Sequence, residues 1–439
     1  MNTNTPQNII TARPVDTAER IKTIDIVRGV ALLGILLMNI PGFGMDWSEF
    51  DVIRRGSHNT ADFRTMQVIE VFFSGTMRGL FSMLFGAGMI LFTMNKQDTP
   101  GGVTVGELYY RRLLLLVMFG VFNAYVLLWW GDILYAYGIA GMILYPFRKI
   151  AAKWLLILGI GCICVGMLRG QLWYNETRET RANYKEAVKA KKEGKKLTEE
   201  QQQAKTQWIQ MESWKPDPQR RDRNIQKMRS DYPTVFTQLL PRNSDDESWG
   251  GYFGIWDSLC MMFIGMALFR LGFFSNKLST STYAIGLLLG YSIGIPLGWY
   301  LLDGELLSLN RGTYIDTYRV PHWQLYDFKR VFLAVGHASL IMLIFRSRIV
   351  PWLMKALANV GQMAFSNYLL HSIICTLFFH GYGLGYFHKL KYHELYYVVG
   401  VVWLFNIIFS VIWLQYFRFG PFEWVWRSLT YWKKQPFKK

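Results

Sequence analysis

Ten apolar stretches, separated mostly by short basic connections, dominate this chain of 439 residues. They are read at 26–42, 70–94, 112–130, 132–149, 153–172, 251–271, 282–302, 328–346, 360–380 and 395–417. Each is near the ~20 residues with which a helix crosses a bilayer's hydrocarbon core. No soluble protein covers this much apolar surface. The expected fold class is all-α: a polytopic membrane helix bundle of about ten transmembrane helices.

Charge supplies the orientation. The chain carries 48 Lys/Arg against 31 Asp/Glu, a net +17. The excess collects at helix ends rather than in a separate basic domain, which points to anionic lipid and topology and away from nucleic acid. Arg20, Lys22 and Arg28; Lys96, Arg111 and Arg112; Arg148, Lys149 and Lys153; Arg270 and Lys277; Arg346, Arg348 and Lys355; and Arg418 onward fall on alternate connections. By the positive-inside rule both chain ends are then cytoplasmic, N-in/C-in. The 17 Trp, 24 Tyr and 30 Phe suit interfacial aromatic belts. Cys162, Cys164, Cys260 and Cys375 all lie in apolar stretches and read as core residues. About 24 polar residues precede the first span with no small-residue cleavage site after it, so that span is expected to be retained.

The division that follows is a disordered cytoplasmic tail at 1–22, five spans over 23–172, an extracytoplasmic polar loop or helical cap at 173–249, five spans over 250–418, and an interfacial amphipathic tail at 419–439. Within the cap, 180–192 and 198–212 read as solvated helices with i,i+4 ion pairs. In span seven, Gly286, Gly290, Gly294 and Gly298 form one small-residue face. That face packs either against another helix of the bundle or against a second copy in a homodimer.

Ionisable groups at membrane depth are costly and are therefore the candidates for function. Arg28 and Asn39 share a face of the first span, roughly 16 Å apart along the axis at ~1.5 Å per residue. Asp25 is placed to pair with Arg28; the plain alternative is a snorkelling Arg and a helix-end Asn. Arg78 lies well inside the second span and calls for a carboxylate, a lipid phosphate or a substrate anion, with Glu70 two turns away. Asp132 follows the Trp129-Trp130-Gly131 break, either as the cap of span four or as a carboxylate partnering Arg78 or a reacting group. Asn367 and His371 share a face of span nine, and His337 lies in span eight. Each histidine is either a satisfied core residue or an acid–base group. His58 stands in the connection after span one, and His380, His388 and His393 show no zinc spacing. No Walker loop, GxGxxG, GxSxG or HExxH is present, which argues against an ATP- or nicotinamide-dependent enzyme, and no metal site is expected.

Five segments resemble the YeiB family of bacterial inner-membrane proteins, named by a domain of unknown function. They are Asp25-Ile26-Val27-Arg28-Gly29 with its continuation to Leu36, Leu84-Phe85-Gly86-Ala87-Gly88, Gly131-Asp132-Ile133-Leu134-Tyr135-Ala136-Tyr137-Gly138, Gly361-Gln362-Met363-Ala364-Phe365-Ser366-Asn367-Tyr368, and Tyr416 through Arg427. The first also resembles the opening of transmembrane acyltransferases, among them the heparan-α-glucosaminide N-acetyltransferase family and the O-acyltransferases of surface polysaccharides. In the latter, an Arg is followed eleven residues later by a catalytic His. Here Arg28 matches the Arg and Asn39 stands at the His position. The N-acetyltransferase group takes its His from the next outer connection, where His58 lies in this chain. Many YeiB-like proteins carry His where this chain has Asn123.

The resemblance implies a multi-pass protein of the bacterial inner membrane and an acyl transfer from a cytoplasmic donor, with acyl-CoA as co-substrate, to an envelope glycan or lipid acceptor. Arg28 would hold donor oxygens, His371 or His58 would remove the acceptor proton, and Asn39 or Asn367 would donate to the oxyanion. The competing reading is an anion or small-molecule transporter in which Arg78, Asp132, His337 and His371 line a pathway, although no two-fold internal repeat is visible.

Overall fold

The computed structural model describes residues 21–94, 103–212, 217–248, 251–252 and 254–439. The expected disordered tail lies outside these except for its last two residues, as do Arg20 and Lys96. In chain order the helices are α1 (Lys22–Gly44), α2 (Ser48–Arg55), α3 (Ala61–Val68), α4 (Thr76–Thr93), α5 (Val105–Tyr125), α6 (Leu134–Leu144), α7 (Ala152–Lys192), α8 (Glu199–Glu212), α9 (Pro218–Met228), α10 (Tyr232–Asp246), α11 (Ile255–Arg270), α12 (Thr280–Ser308), α13 (Arg311–Thr317), α14 (Tyr326–Ser347), α15 (Pro351–Gln362), α16 (Ala364–Phe379), α17 (Leu395–Tyr416) and α18 (Pro421–Tyr431). The described residues form an all-helical protein with one isolated bridge, Phe417 to Lys438. Among them, 6 helical stretches are long and apolar enough to cross a membrane: 22–44, 61–93, 152–192, 280–308, 322–347 and 395–416. The other four apolar stretches are also helical, in α5, α6, α11 and α16, but fall short in length or apolarity.

Where helices begin has local causes. Thr104 caps α5 by accepting from Glu107 N at 3.1 Å, and Ser279 caps α12 by accepting from Thr282 N at 3.1 Å. Pro opens α9 and α15, where its missing N–H costs nothing. Two apolar stretches are broken inside. Span two runs from α3 through a π-turn at Ile69–Phe73 and restarts at α4 after Gly75, at φ +69°. A Cβ on Gly75 would lie 2.0 Å from the Tyr326 hydroxyl, so both the left-handed backbone and the close approach require glycine. Span nine is split at Met363 into α15 and α16.

Close helix crossings are built on small residues. A Cβ on Gly361 would meet the Asp25 carbonyl at 1.8 Å, and one on Gly29 the Leu357 carbonyl at 2.1 Å, so α1 and α15 touch backbone to backbone. The glycine face of α12 packs inside the bundle: Gly290 approaches Gly336 and Gly294 approaches Leu333 of α14, while Gly298 approaches Val71. The stripe is thus not available to a second copy.

One end of the bundle gathers the cations of the alternate short connections. Thr23 donates to the Phe274 carbonyl at 2.7 Å, Arg346 to Asn276 Oδ1 at 2.7 Å, Trp426 Nε1 to the Arg112 carbonyl at 2.9 Å, and Arg270 to the Arg148 carbonyl. The opposite end carries the cap. There α7, 41 residues and roughly 60 Å long at ~1.5 Å per residue, runs on without a breaker through what read as the start of a loop. Its outer half joins α8 and α13 through a small second core of Tyr174, Trp208, Tyr314 and Ile315. The α10 segment covers the α5–α6 break: Arg242 lies 3.4 Å over Trp130, Asn243 donates to the Ala124 carbonyl at 2.7 Å, and Tyr232 to the Val126 carbonyl at 2.9 Å. His393 is 2.7 Å from Asp62 and His388 3.7 Å from Glu49, tying the 381–394 connection to α3 and α2.

Candidate functional site

At the basic end a cavity of about 250 Å³ opens among α1, α4, α5, α6, α16 and α18. Its wall is largely aliphatic and aromatic, including Phe81, Leu84, Phe85, Leu113, Leu116 and Phe365. Three arginines, Arg28, Arg112 and Arg427, line it beside two carboxylates, Asp25 and Glu423, with Tyr137 and Tyr368 in the same wall.

Arg28 is fixed by Asp25 Oδ1 at 3.0 Å. Arg112 stacks 3.9 Å over Trp426 and 5.5 Å from the Phe92 ring. Glu423 does a different job: its Oε1 accepts from Phe365 N at 2.8 Å and Ser366 N at 3.0 Å, and Ser366 Oγ donates to Oε2. It therefore caps the free N–H groups of α16 at the Met363 break from another helix. All five segments that carry the family resemblance contribute to this one wall: Arg28, Phe85, Tyr137, Tyr368 and Trp426 represent one each.

The Tyr368 hydroxyl links the cavity to Asp132. It donates to Asp132 Oδ1 at 3.4 Å and accepts from Ile133 N at 3.2 Å. Asn123 Nδ2 donates to the same Asp132 Oδ1 at 2.7 Å, and Tyr135 N to Oδ2 at 2.9 Å. Asp132 thus caps the start of α6 and faces the cavity's end through Tyr368. Leu128, just before this break, has φ +58°, a strained setting for a leucine.

Arg78 finds the carboxylate that its depth calls for, on another helix. Among the candidates, Asp132 is not that partner; it is Asp257 of α11, at 3.0 Å. Asp257 also binds Arg330 at 2.6 Å, and Arg330, 1% exposed, pairs with Asp327 as well. Nearby, Lys329 Nζ donates at 2.5 Å to the Glu70 carbonyl and at 3.1 Å to that of Ser74, satisfying the end of the π-turn. In the Arg78–Asp257–Arg330–Asp327 cluster each guanidinium is ion-paired, Arg330 is buried while Arg78 keeps an exposed edge, and none of the four residues lines the cavity.

The histidines also lie elsewhere. His337 has both ring nitrogens engaged, Nδ1 with Tyr291 Oη at 2.8 Å and Nε2 with the Phe72 carbonyl at 3.1 Å. His371 accepts from Asn406 Nδ2 at 2.5 Å, while Asn367 donates to Ser410 Oγ at 2.9 Å and the Val360 carbonyl at 3.2 Å. These residues join α16 to α17. His58 is exposed, stacked 4.0 Å from Phe63. Asn39 is half-buried toward the far end of α1. Of the eight candidates, Arg28 lines the cavity and Asp132 touches it through Tyr368; Arg78, His337, His371, Asn367, His58 and Asn39 do not line it. Arg78, Asp132, His337 and His371, the proposed transport pathway, each hold different partners.

Sequence reading missed Arg112, Glu423, Trp426 and Arg427 as site residues. Arg112 read as a connection charge because span three was begun there; the cap at Thr104 puts it two turns inside α5.

The family described as a protein of unknown function, DUF418, matches residues 268–433. The "Uncharacterized protein YeiB" of Escherichia coli (strain K12) is 31% identical over 431 residues, covering 94% of this chain and 96% of that one. The "Uncharacterized protein YxaH" of Bacillus subtilis (strain 168) is 28% identical over 439 residues, covering 97% and 98%. No solved structure matches. In this chain the DUF418 region is the C-terminal part, and at that identity and coverage the chain belongs to the YeiB family.

Proposed function

We propose that this protein is an integral-membrane acyltransferase of the bacterial inner membrane, taking an acyl group from a cytoplasmic thioester to an extracytoplasmic or lipid-linked acceptor. The observation that carries the reading is the cavity: arginines in a largely apolar wall, one tyrosine away from a carboxylate. That pattern fits a donor with an anionic head and an acyl tail, as acyl-CoA has. Arg28, Arg112 and Arg427 would hold phosphate oxygens, and the apolar wall would take the chain.

In the reaction the acceptor's hydroxyl oxygen or amine nitrogen attacks the thioester carbonyl carbon. A C–O or C–N bond forms, the C–S bond breaks, and the acceptor proton ends on the departing thiol. Asp132 is the best-placed proton carrier, oriented by Asn123, with Tyr368 between it and the cavity. This reading takes the chain to cross the bilayer ten times with both ends cytoplasmic. Its support is that Arg112, Arg148, Arg270 and Arg346 gather with the C-terminal helix at one end.

The test uses full-length protein in lipid nanodiscs with labelled acetyl- and palmitoyl-CoA. The expected result is a thermal shift with CoA and slow release of label as free acid or acyl acceptor, with CoA affinity weakened about tenfold in Arg112→Met. Absence of any shift and of any turnover with both thioesters overturns the proposal.

A further inference from the structure

A second set of hollows lies at the cap end and plays no part in the cavity. Three adjoin one another, of about 310, 240 and 380 Å³. The first and second share Trp173, Thr177 and Met211, and the second and third share Asp51 and Arg54. Together they make a groove from the projecting half of α7 to the far end of α1, where Leu37, Met38 and Pro41 form its wall.

Its chemistry contrasts with that of the basic cavity. The middle hollow balances Arg54, Arg55 and Arg311 against Asp51, Glu212 and Glu305, so it selects no net charge. Trp173 is half exposed there and lies 6.2 Å from Trp323, against whose ring Tyr174 packs edge-on at 5.5 Å. The second core beneath holds this aromatic wall in place. The arginines are pre-set: Arg55 donates to the Leu309 carbonyl at 2.9 Å, Arg311 to that of Met211 at 3.1 Å, and Arg54 pairs with Glu305 at 3.5 Å. Arg54 Nε is buried with no hydrogen-bond partner among the described residues.

Aromatic faces beside planar donors and acceptors of both signs suit a hydroxyl-rich ring. Such a ring stacks its C–H face on an aromatic and offers paired hydroxyls that both donate and accept. Three hollows in a row suit several such rings rather than one. We propose that this groove binds an uncharged oligosaccharide; as the acceptor site of the transfer it rests on the reading above, and as a binding site it does not. One helix joins the two sites: from Arg28 to Leu37 is roughly 13 Å along α1 at ~1.5 Å per residue.

The test is binding of cellotetraose and chitotetraose to the full-length protein in nanodiscs, followed by tryptophan fluorescence and calorimetry. At least one tetrasaccharide is expected to bind. Trp173→Ala and Arg55→Ala, both on accessible surface, should each weaken it about tenfold, and Arg28→Met should leave it unchanged. No binding at millimolar tetrasaccharide, binding indifferent to both groove variants, or saturable binding only of an acidic peptide or anionic vesicles overturns the groove proposal. Tetrasaccharide binding without any acyl transfer would leave the groove standing and remove its role as acceptor site.

Discussion

Two regions of the bundle hold arginines, and they use them in opposite ways. In the Arg78–Asp257–Arg330–Asp327 cluster every guanidinium meets a carboxylate, and Arg330 is 1% exposed. In the basic cavity, three arginines line open space of about 250 Å³ against two carboxylates, one of which is engaged in capping α16. A charge at membrane depth is therefore not in itself a site. What separates architecture from candidate chemistry is whether its partners close around it or leave a cavity. Depth in a span singles out Arg78; the structure shifts the weight to Arg112, which lies two turns inside α5 and lines the cavity.

The sharpest way to break this comparison is Asp257→Ala. Removing the shared carboxylate leaves Arg78 without its ion pair and Arg330 with only Asp327. A loss of about 2–3 kcal/mol follows, below that of a fully broken buried pair, because Arg330 keeps Asp327 and Arg78 is partly exposed. It should appear as a steep fall in the yield and thermal midpoint of folded protein. If stability is unchanged while CoA binding disappears, the cluster belongs to the site and the distinction fails.

Asp132→Asn tests the other side. Asparagine still accepts the Tyr135 N–H and is as good a cap as aspartate, and Asn123, whose Oδ1 has no partner among the described residues, can turn its amide to accept from the new one, so stability should fall by no more than about 1 kcal/mol. Transfer should fall by about 10²–10⁴, the usual contribution of a positioned base. Measuring initial rates and midpoints on the same preparation separates the two effects. Equal activity would return Asp132 to a purely structural role.

Arg112→Met and Arg28→Met should each weaken CoA binding roughly tenfold, as loss of one charge-assisted contact of about 1.5 kcal/mol would. A calorimetric titration decides it. Unchanged affinity in both would mean that the cavity's arginines serve only Asp25 and Trp426.

Much of the fold was legible because hydropathy reports helices directly. Among the described residues each of the ten apolar stretches is largely helical, although two are broken inside, and the Gly286–Gly298 stripe pointed to a close crossing. What was not legible depended on breaks and long-range partners. Nothing local shows that Met363 ends a helix, because its cap comes from Glu423, some sixty positions later. Nothing near Arg78 in sequence names Asp257. The pairing of Asp132 with Asn123 was closer to hand: nine positions separate them across the Trp129-Trp130 turn. His371 drew attention as a titratable group, yet its environment is Asn406 on the neighbouring helix, away from the cavity.

The smallest expected effect tests whether the cap seals the far side of the cavity's end. Glu247 follows α10, outside the bundle, and its carboxyl is pushed up to about 7, first by burial and then by the nearby charges of Asp132 and Asp246, with Tyr125 opposing. A raised carboxyl means that the folded chain holds a proton which the unfolded chain gives up near its ordinary value of 4.5. The stabilisation is complete below that value and is lost as pH rises through 7. Since the side chain is only half-buried, about 1 kcal/mol is the ceiling after solvent screening. Thermal midpoints of wild type and Glu247→Gln, compared from pH 4.5 to 7.5, should diverge only across that window, with the glutamine variant the less pH-dependent. Asp132→Asn removes the like charge and should shift the divergence to lower pH. If Asp132→Asn leaves it in place, Glu247 does not sense the carboxylate behind Tyr368, and the cap and the cavity are electrically separate regions after all.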